Sequence, residues 1–534
     1  MLACAVLTSA AAGLLAQDDV PRVELHDGAG RLLVHGKPFL IRGGELGNSS
    51  AGTAAQADEI LPRLARMHIN TVLMPVAWEQ MEPVEGQFDF SILDHWMDMA
   101  RQQDQHLVLL WFGSWKNAFS EYAPSWVKAD TRRFPREMPA GGQPTEILSP
   151  LGGETLRADS RAFAALMRHV RERDSTQQTV LMVQVENEIG FLGVGGRDRS
   201  DAANRLFDGA VPAELLQALD ARRSKLSPEM AAHFHAAGHT WREVFGNSAD
   251  EAFMAWQYGR FVQGVAAAGK KEYALPMYAN AQLPAPLERA GEYPSGGPHP
   301  SVQDVYRAAA PSIDFYAPDI YWPDFESWVE RYQAAGNPVF VPEARMDAAA
   351  YNGLYVFGEA RGFGFSPFGV DGLPTAEDAK AGPSLADVYA MIEDLNDTLL
   401  AAQAKNQVRA LVLHATSPRP TRTVALDGYL FTATLSRTWP ARTLATSDGA
   451  MMVMETAPDE FLVAGCGLTV TMARDPDTDS QVAGIASIEQ VTRKDGQWVT
   501  ERRLNGDQSN QGRQLPMDAH AMRVYRVKLY SYLR

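Results

Sequence analysis

Two glutamates stand where a chain could do acid–base chemistry. Glu188 lies just beyond the apolar run TVLMVQV (residues 179–185), in the segment QVENEIG, and Glu343 lies just beyond VFV (339–341), in FVPEA. A carboxylate at the end of a buried strand is held by a rigid element and aimed at whatever the strand ends surround. If these runs are the fourth and seventh strands of one closed barrel, the two carboxylates face each other across its mouth. Such a pair suits an acetal: one acid protonates the leaving oxygen and the other attacks or stabilises the oxocarbenium-like carbon. At ~5–5.5 Å the ionised partner raises the pKa of the other, so one acid and one base coexist at one pH. Neither metal nor cofactor is needed. Glu186 competes for the acid's role, because residues two apart on a regular strand face the same way; a buried supporting place is the other reading of it.

The elements that must carry these residues are legible as an alternation. Short apolar runs occur at 39–41, 71–74, 107–110, 179–185, 275–278, 313–316, 339–341 and, most weakly, 362–368. Stretches of helical period separate them, at 54–67, 92–102, 160–173, 249–268, 301–309, 325–335 and 385–404. Strands apolar throughout and separated by helices imply a parallel sheet covered on both faces. Eight such units over roughly 370 residues predict an α/β fold, a (β/α)8 TIM barrel. The segment 191–247 is its largest insertion and follows the fourth strand, so it belongs on the face where barrel sites are built.

Helical period stops near residue 406. Strand-like pieces follow at 408–413, 430–435, 451–455, 461–472, 488–493, 498–504 and 522–529. Lys494-Asp495-Gly496-Gln497 reads as a tight hairpin turn, since Asp-Gly accepts the positive φ required there. The alternation of Tyr525, Val527 and Leu529 with Arg526 and Lys528 marks a half-buried strand. Residues 406–534 are therefore expected to form a small antiparallel β-domain, a sandwich, after a barrel spanning 18–405.

Composition excludes other classes. The chain has 534 residues, 46% of them hydrophobic and 21% charged, with a net charge of −16. That balance, without a basic run, argues against nucleic acid or an anionic membrane as partner. Two cysteines, Cys4 and Cys466, exclude a disulfide scaffold and a thiolate zinc cluster. Residues 2–16 (LACAVLTSAAAGLLA) are apolar and small, like the core of a secretory signal ending near residue 17, although no Lys or Arg precedes Arg22. Export to a periplasm or beyond is the expectation, with no membrane span. Oligomeric state is not legible.

The strand ends collect polar and aromatic residues: Glu45, Lys116, Asn187, Asn280, Asp319, Trp115 and Trp322. Carboxylates with aromatic faces suit a neutral polyhydroxylated ligand, an oligo- or polysaccharide. His233, His235 and His239 have a metal-like spacing, but Gly238 breaks the helical run, and the metal-free reading is an exposed insertion helix.

Six segments in order resemble one family. QVENEIG, WEQMEPVEGQFDF (78–90), GGELGNSS (43–50), LWFGSWKN (110–117), YAPSWVK (122–128) and GFGFSPFGVD (362–371) are similar to the β-galactosidases of glycoside hydrolase family 35. These are retaining enzymes with Glu on strands four and seven, and the likeness is to a bacterial branch with a short C-terminal β-domain. It covers about residues 35–405 and, loosely, the tail. It implies Glu188 as general acid/base and Glu343 as nucleophile, with Asn187 on the sugar 2-hydroxyl. Tyr321 would hydrogen-bond the nucleophile, and Glu45 and Trp115 would line the galactose pocket. Gly47 departs from the pattern, which has a histidine there. The implied activity is release of terminal β-galactose, for which plant xyloglucan side chains are one source. Two alternatives stay open: another retaining exo-glycosidase, for β-glucoside or α-arabinoside, and a non-catalytic glycan-binding barrel.

Overall fold

The computed structural model describes residues 20–26, 29–372, 383–436, 448–476 and 481–533. The leader-like segment 1–17 lies outside them. The core is a parallel barrel whose strands, in order, are Ile41–Glu45, Thr71–Ala77, His106–Phe112, Val180–Val185, Met277–Gln282, Phe315–Ile320, the pair Phe340–Val341 and Glu343–Ala344, and Gly364–Phe365. They are numbered one to eight below. Strands two and four are buried at every position, as a sheet covered on both faces requires.

Strand seven is split at Pro342. Phe340 and Val341 pair with strand eight, whereas Glu343 and Ala344 pair with strand six. Proline has no N–H to give the ladder, so the chain changes neighbours there. Glu343 thereby stands in register with Asp319.

The first apolar run resolves into two elements. Lys37–Phe39 closes a three-stranded antiparallel sheet with Arg22–His26 and Ala29–Val34, and the barrel strand starts at Ile41. This sheet was not anticipated from the sequence. Its Leu32 and Val34 join Leu73, Val108, Leu110, Phe315 and Phe340 of the barrel strands in one buried apolar cluster.

The helices follow the expected periods, with Gly153–Asp174 and Ala249–Glu272 longer than their apolar stripes suggested. The last barrel helix, Leu385–Ala404, carries a capping box from Ser384 and Asp387. Its Tyr389 hydroxyl bridges the carbonyls of Gly43 and Phe365, 2.8 Å from each, on strands one and eight. Among the described residues, no helix is long and apolar enough to cross a membrane.

The tail folds as two antiparallel sheets of six and four strands sharing one apolar core, a sandwich. Residues 461–472, read above as one strand, are two: Glu460–Cys466 in the larger sheet and Leu468–Arg474 in the smaller. Gly467, at φ 74°, makes the switch, a conformation with little cost only for glycine. Asp495 and Gly496 have φ of 50° and 75°, the geometry of the expected hairpin turn.

Candidate active site

The ends of strands five, six and seven and the loops after strands one, three, four, five, six and eight converge on one cleft of about 330 Å³. Glu188, Glu343, Asp319, Lys116, Asn117 and Tyr321 are among the residues lining it. Larger clefts lie elsewhere on the surface, but this one gathers three buried carboxylates, and burial and acidic neighbours raise the pKa of two of them, Glu188 and Asp319, a pattern that marks candidate sites.

The chain after strand four departs from β geometry. Glu186 has φ 61° and Glu188 φ 45°, uncommon for residues other than glycine. The two kinks cancel the period-two rule, and the neighbouring glutamates part company. Glu186 turns away beneath the cleft, where its Oε2 accepts the Trp115 N–H at 2.9 Å. Burial, and then the neighbouring buried Asp159 carboxyl, push its pKa well above the usual range. Asp159 in turn accepts from Trp111 Nε1 and from Ser114. Glu186 is thus a support for the loop after strand three. Glu188 enters the cleft with its backbone N–H held by Asn280 Oδ1 at 2.9 Å and its carboxylate accepting from Asn117 Nδ2.

One oxygen each from Glu188, Asp319 and Glu343 lie within 4.8 Å of one another. Glu343 Oε1 accepts the Tyr321 hydroxyl, and its Oε2 has no protein partner. Burial and then the charge of Glu343 raise Glu188 to about 7; Lys116 and hydrogen bonds from Asp319 and Asn117 work in the opposite direction. Glu45 is buried near Glu343, and burial with that neighbour's charge holds its carboxyl well above the usual range. Lys116, itself buried, supplies the positive charge among these acids, its Nζ 5.1 Å from the Phe112 ring centre. The same three carboxylate oxygens are the only set among the described residues close enough to share a cation. His233 ends a short helix, and His235 and His239 are exposed beyond it, so the three share no helix face.

The structure thus brings Glu45, Glu188, Glu343 and Tyr321 together. Asn187 is buried directly before Glu188, with neither atom of its side-chain amide partnered. A buried amide in that state is satisfied by a ligand or water. Trp115 is the exception and corrects the sequence reading. Its ring is fully buried against Tyr258 and Phe261, with Nε1 on the Leu148 carbonyl at 3.1 Å, and it does not line the cleft. Position after a strand end did not reveal side-chain direction. Trp322 lines the cleft instead, half-buried, its Nε1 donating to the Leu283 carbonyl. Gly47 donates its N–H to Asp371 at 2.8 Å, and a Cβ there would press on Ser50 and Asp371, so this loop presents backbone where a side chain was expected.

Asn117 and Asn280 were not assigned roles from sequence. Asn117 has φ 49°, which asparagine tolerates better than most residues, and that is the one local signal in it. Gly190 has a steric reason: a Cβ would run into the backbone of Pro294. Gly190→Ala is expected to cost about 1–3 kcal/mol, the range for overpacking. A fall in melting temperature checks it; an unchanged melt would mean that the loop after Glu188 yields freely.

A family model described as β-galactosidase, of glycoside hydrolase family 42, matches residues 49–211, and a model described as a domain of unknown function (DUF5597) matches 385–516. Over residues 49–211, less than half of the chain, the sequence is thus similar to a glycoside hydrolase model. The matched model is that of family 42 and not the family 35 suggested by the motifs, and the fold is a TIM barrel. No curated protein matches the sequence. Among solved structures, similarity is found to the exo-β-1,4-mannosidase Op5Man5 from Opitutaceae bacterium strain TAV5 (14% identity, TM-score 0.36, 63% of this chain and 52% of that one). It is also found to β-galactosidases from Halorubrum lacusprofundi (15%, TM-score 0.37, 57% and 47%) and Marinomonas ef1 (11%, TM-score 0.42, 67% and 61%). The chain spans about half the length of the first two.

Proposed function

We propose that this glycosidase is an exo-acting β-galactosidase that retains anomeric configuration. The observation carrying the reading is the approach of Glu188 and Glu343 to within 4.8 Å. Retaining enzymes hold their carboxyls ~5–5.5 Å apart, whereas inverting ones leave ~6.5–9.5 Å for a water. Glu343, oriented by Tyr321, attacks the anomeric carbon while Glu188 gives its proton to the leaving oxygen. Glu188 then takes a proton from water, which opens the galactosyl-enzyme. Asn187 would receive the sugar 2-hydroxyl, and Glu45 a further hydroxyl. The strand-four and strand-seven placement supports these roles whichever family name applies. Galactose at the ends of plant glycans such as xyloglucan is the proposed natural substrate, met outside the cell if residues 1–17 are a secretory leader.

A panel of nitrophenyl glycosides tests the sugar, and proton NMR of the first-formed anomer tests the stereochemistry. β-Galactose released first as the β-anomer is expected. Preference for β-glucoside or α-arabinoside would overturn the galactose reading, an initial α-anomer the retaining one. No release from any glycoside would favour a glycan-binding barrel.

A further inference from the structure

Resting on the glycosidase reading above, we propose that Asp319 is a positioning residue that keeps its own proton through both half-reactions and donates it as a hydrogen bond to Glu188. Buried Asp319 and Glu188 each bring a carboxyl oxygen within 4.8 Å of the other and of Glu343, and Asp319 Oδ1 has no donor of its own. Three buried carboxyls this close do not all ionise, and one that keeps its proton has a hydrogen bond to give its neighbour.

The surroundings decide which carboxyl keeps it. Asn280 uses its Oδ1 to accept the Glu188 N–H, so its Nδ2 must face Asp319, where it donates to Oδ2 at 2.5 Å. Asp319 Oδ1 receives no donor. Glu343 stands beside it in strand register, and Glu45 and Glu188 complete a ring of acids around it. The hydroxyls of Tyr278, Tyr321 and Tyr332 also act on it or on its neighbours, and they too lose stability as anions there. Lys116, the cation of the cleft, acts on Glu45 and Glu188, and Asn117 donates to Glu188. Asp319 is therefore the member with the least support for a negative charge, and Glu188 the member built to alternate. Burial and the surrounding acids displace Asp319 upward, in keeping with this.

The proton count closes. At rest both carboxyls are protonated, and Asp319 donates to Glu188. When Glu188 passes its proton to the leaving oxygen, the Asp319 O–H stays in place and meets a carboxylate, a stronger bond than the one to a neutral acid. The ionised product of that transfer is stabilised. When Glu188 takes a proton from water, the first state returns. Asp319 exchanges nothing.

Two substitutions separate this from an ionised Asp319. Asp319→Leu removes the donor, so the alkaline limb of kcat/KM should rise by about one pH unit; Asp319→Asn keeps a donor and should leave the limb within about half a unit. An ionised Asp319 would act as one more repelling charge, and both substitutions would then lower the limb. A merely structural role would change rates without moving it. An infrared difference spectrum near neutral pH reads the proton without turnover: Asp319→Asn should delete a protonated-carboxyl C=O band above amide I. No loss of that band would overturn the proposal. If the parent protein cleaves no glycoside, the glycosidase reading fails, while the infrared band still decides the proton on Asp319.

Discussion

Glu343→Gly should lower kcat/KM by on the order of 10⁴-fold or more, the scale on which loss of a covalent nucleophile acts. That is about 5.5 kcal/mol of transition-state stabilisation. Sodium azide should restore turnover in this variant, because a small anion fits the space vacated and attacks the same carbon. The product would be a glycosyl azide of inverted configuration, since one displacement replaces two. Tyr321 would be left without its acceptor, yet it is only partly buried and lines the cleft, so the fold should survive. Retained activity in the absence of azide would remove Glu343 from the nucleophile's role. Asp319, its neighbour in register, would be the first candidate to take it.

Glu188→Gln should cost about 10²–10⁴-fold with leaving groups that need protonation, the usual worth of a general acid. With dinitrophenyl leaving groups, which depart unaided, the first step should be nearly spared. The pH dependence follows with its sign. Glu188 acts as an acid in the first step, so it must be protonated, and its pKa is raised to about 7. Activity should therefore be full below that value and fall as pH rises through it. In Glu188→Gln this alkaline limb should vanish with the activated substrate. A limb that persists there would locate the acid elsewhere, and Glu186 is the sequence neighbour to test. Its burial beneath the loop after strand three speaks against that outcome.

The barrel was readable because a sheet covered on both faces demands uninterrupted apolar runs, and helices between them demand another period. The convergence of Glu188 and Glu343 was readable for a related reason: both stand at the ends of such runs, on strands that close one barrel. What escaped depends on single torsions and side-chain directions. Glu186 and Glu188 look equivalent by strand period, and two positive φ angles separate them. Trp115 follows a strand end as Trp322 does, yet one ring packs inward and the other lines the cleft. The N-terminal sheet was invisible because its strands are short and each carries a charged residue, a weak signal beside the barrel runs. Asp319 was noted only as a neighbour of the site, since its partner Asn280 comes from another strand.

The helix Leu385–Ala404 completes the barrel, with Tyr389 tied to strands one and eight. Yet it begins where the match to the C-terminal model begins. The seam of inheritance and the seam of folding do not coincide. A gene cut at the first would part the barrel from a piece of its own wall, a helix that also packs on the sandwich strands Val408–Leu413 and Gly449–Ala457. The two regions are therefore not interchangeable cassettes. Lineages that trade one should be found to trade the other, and any chimera must carry the joint at 385 whole.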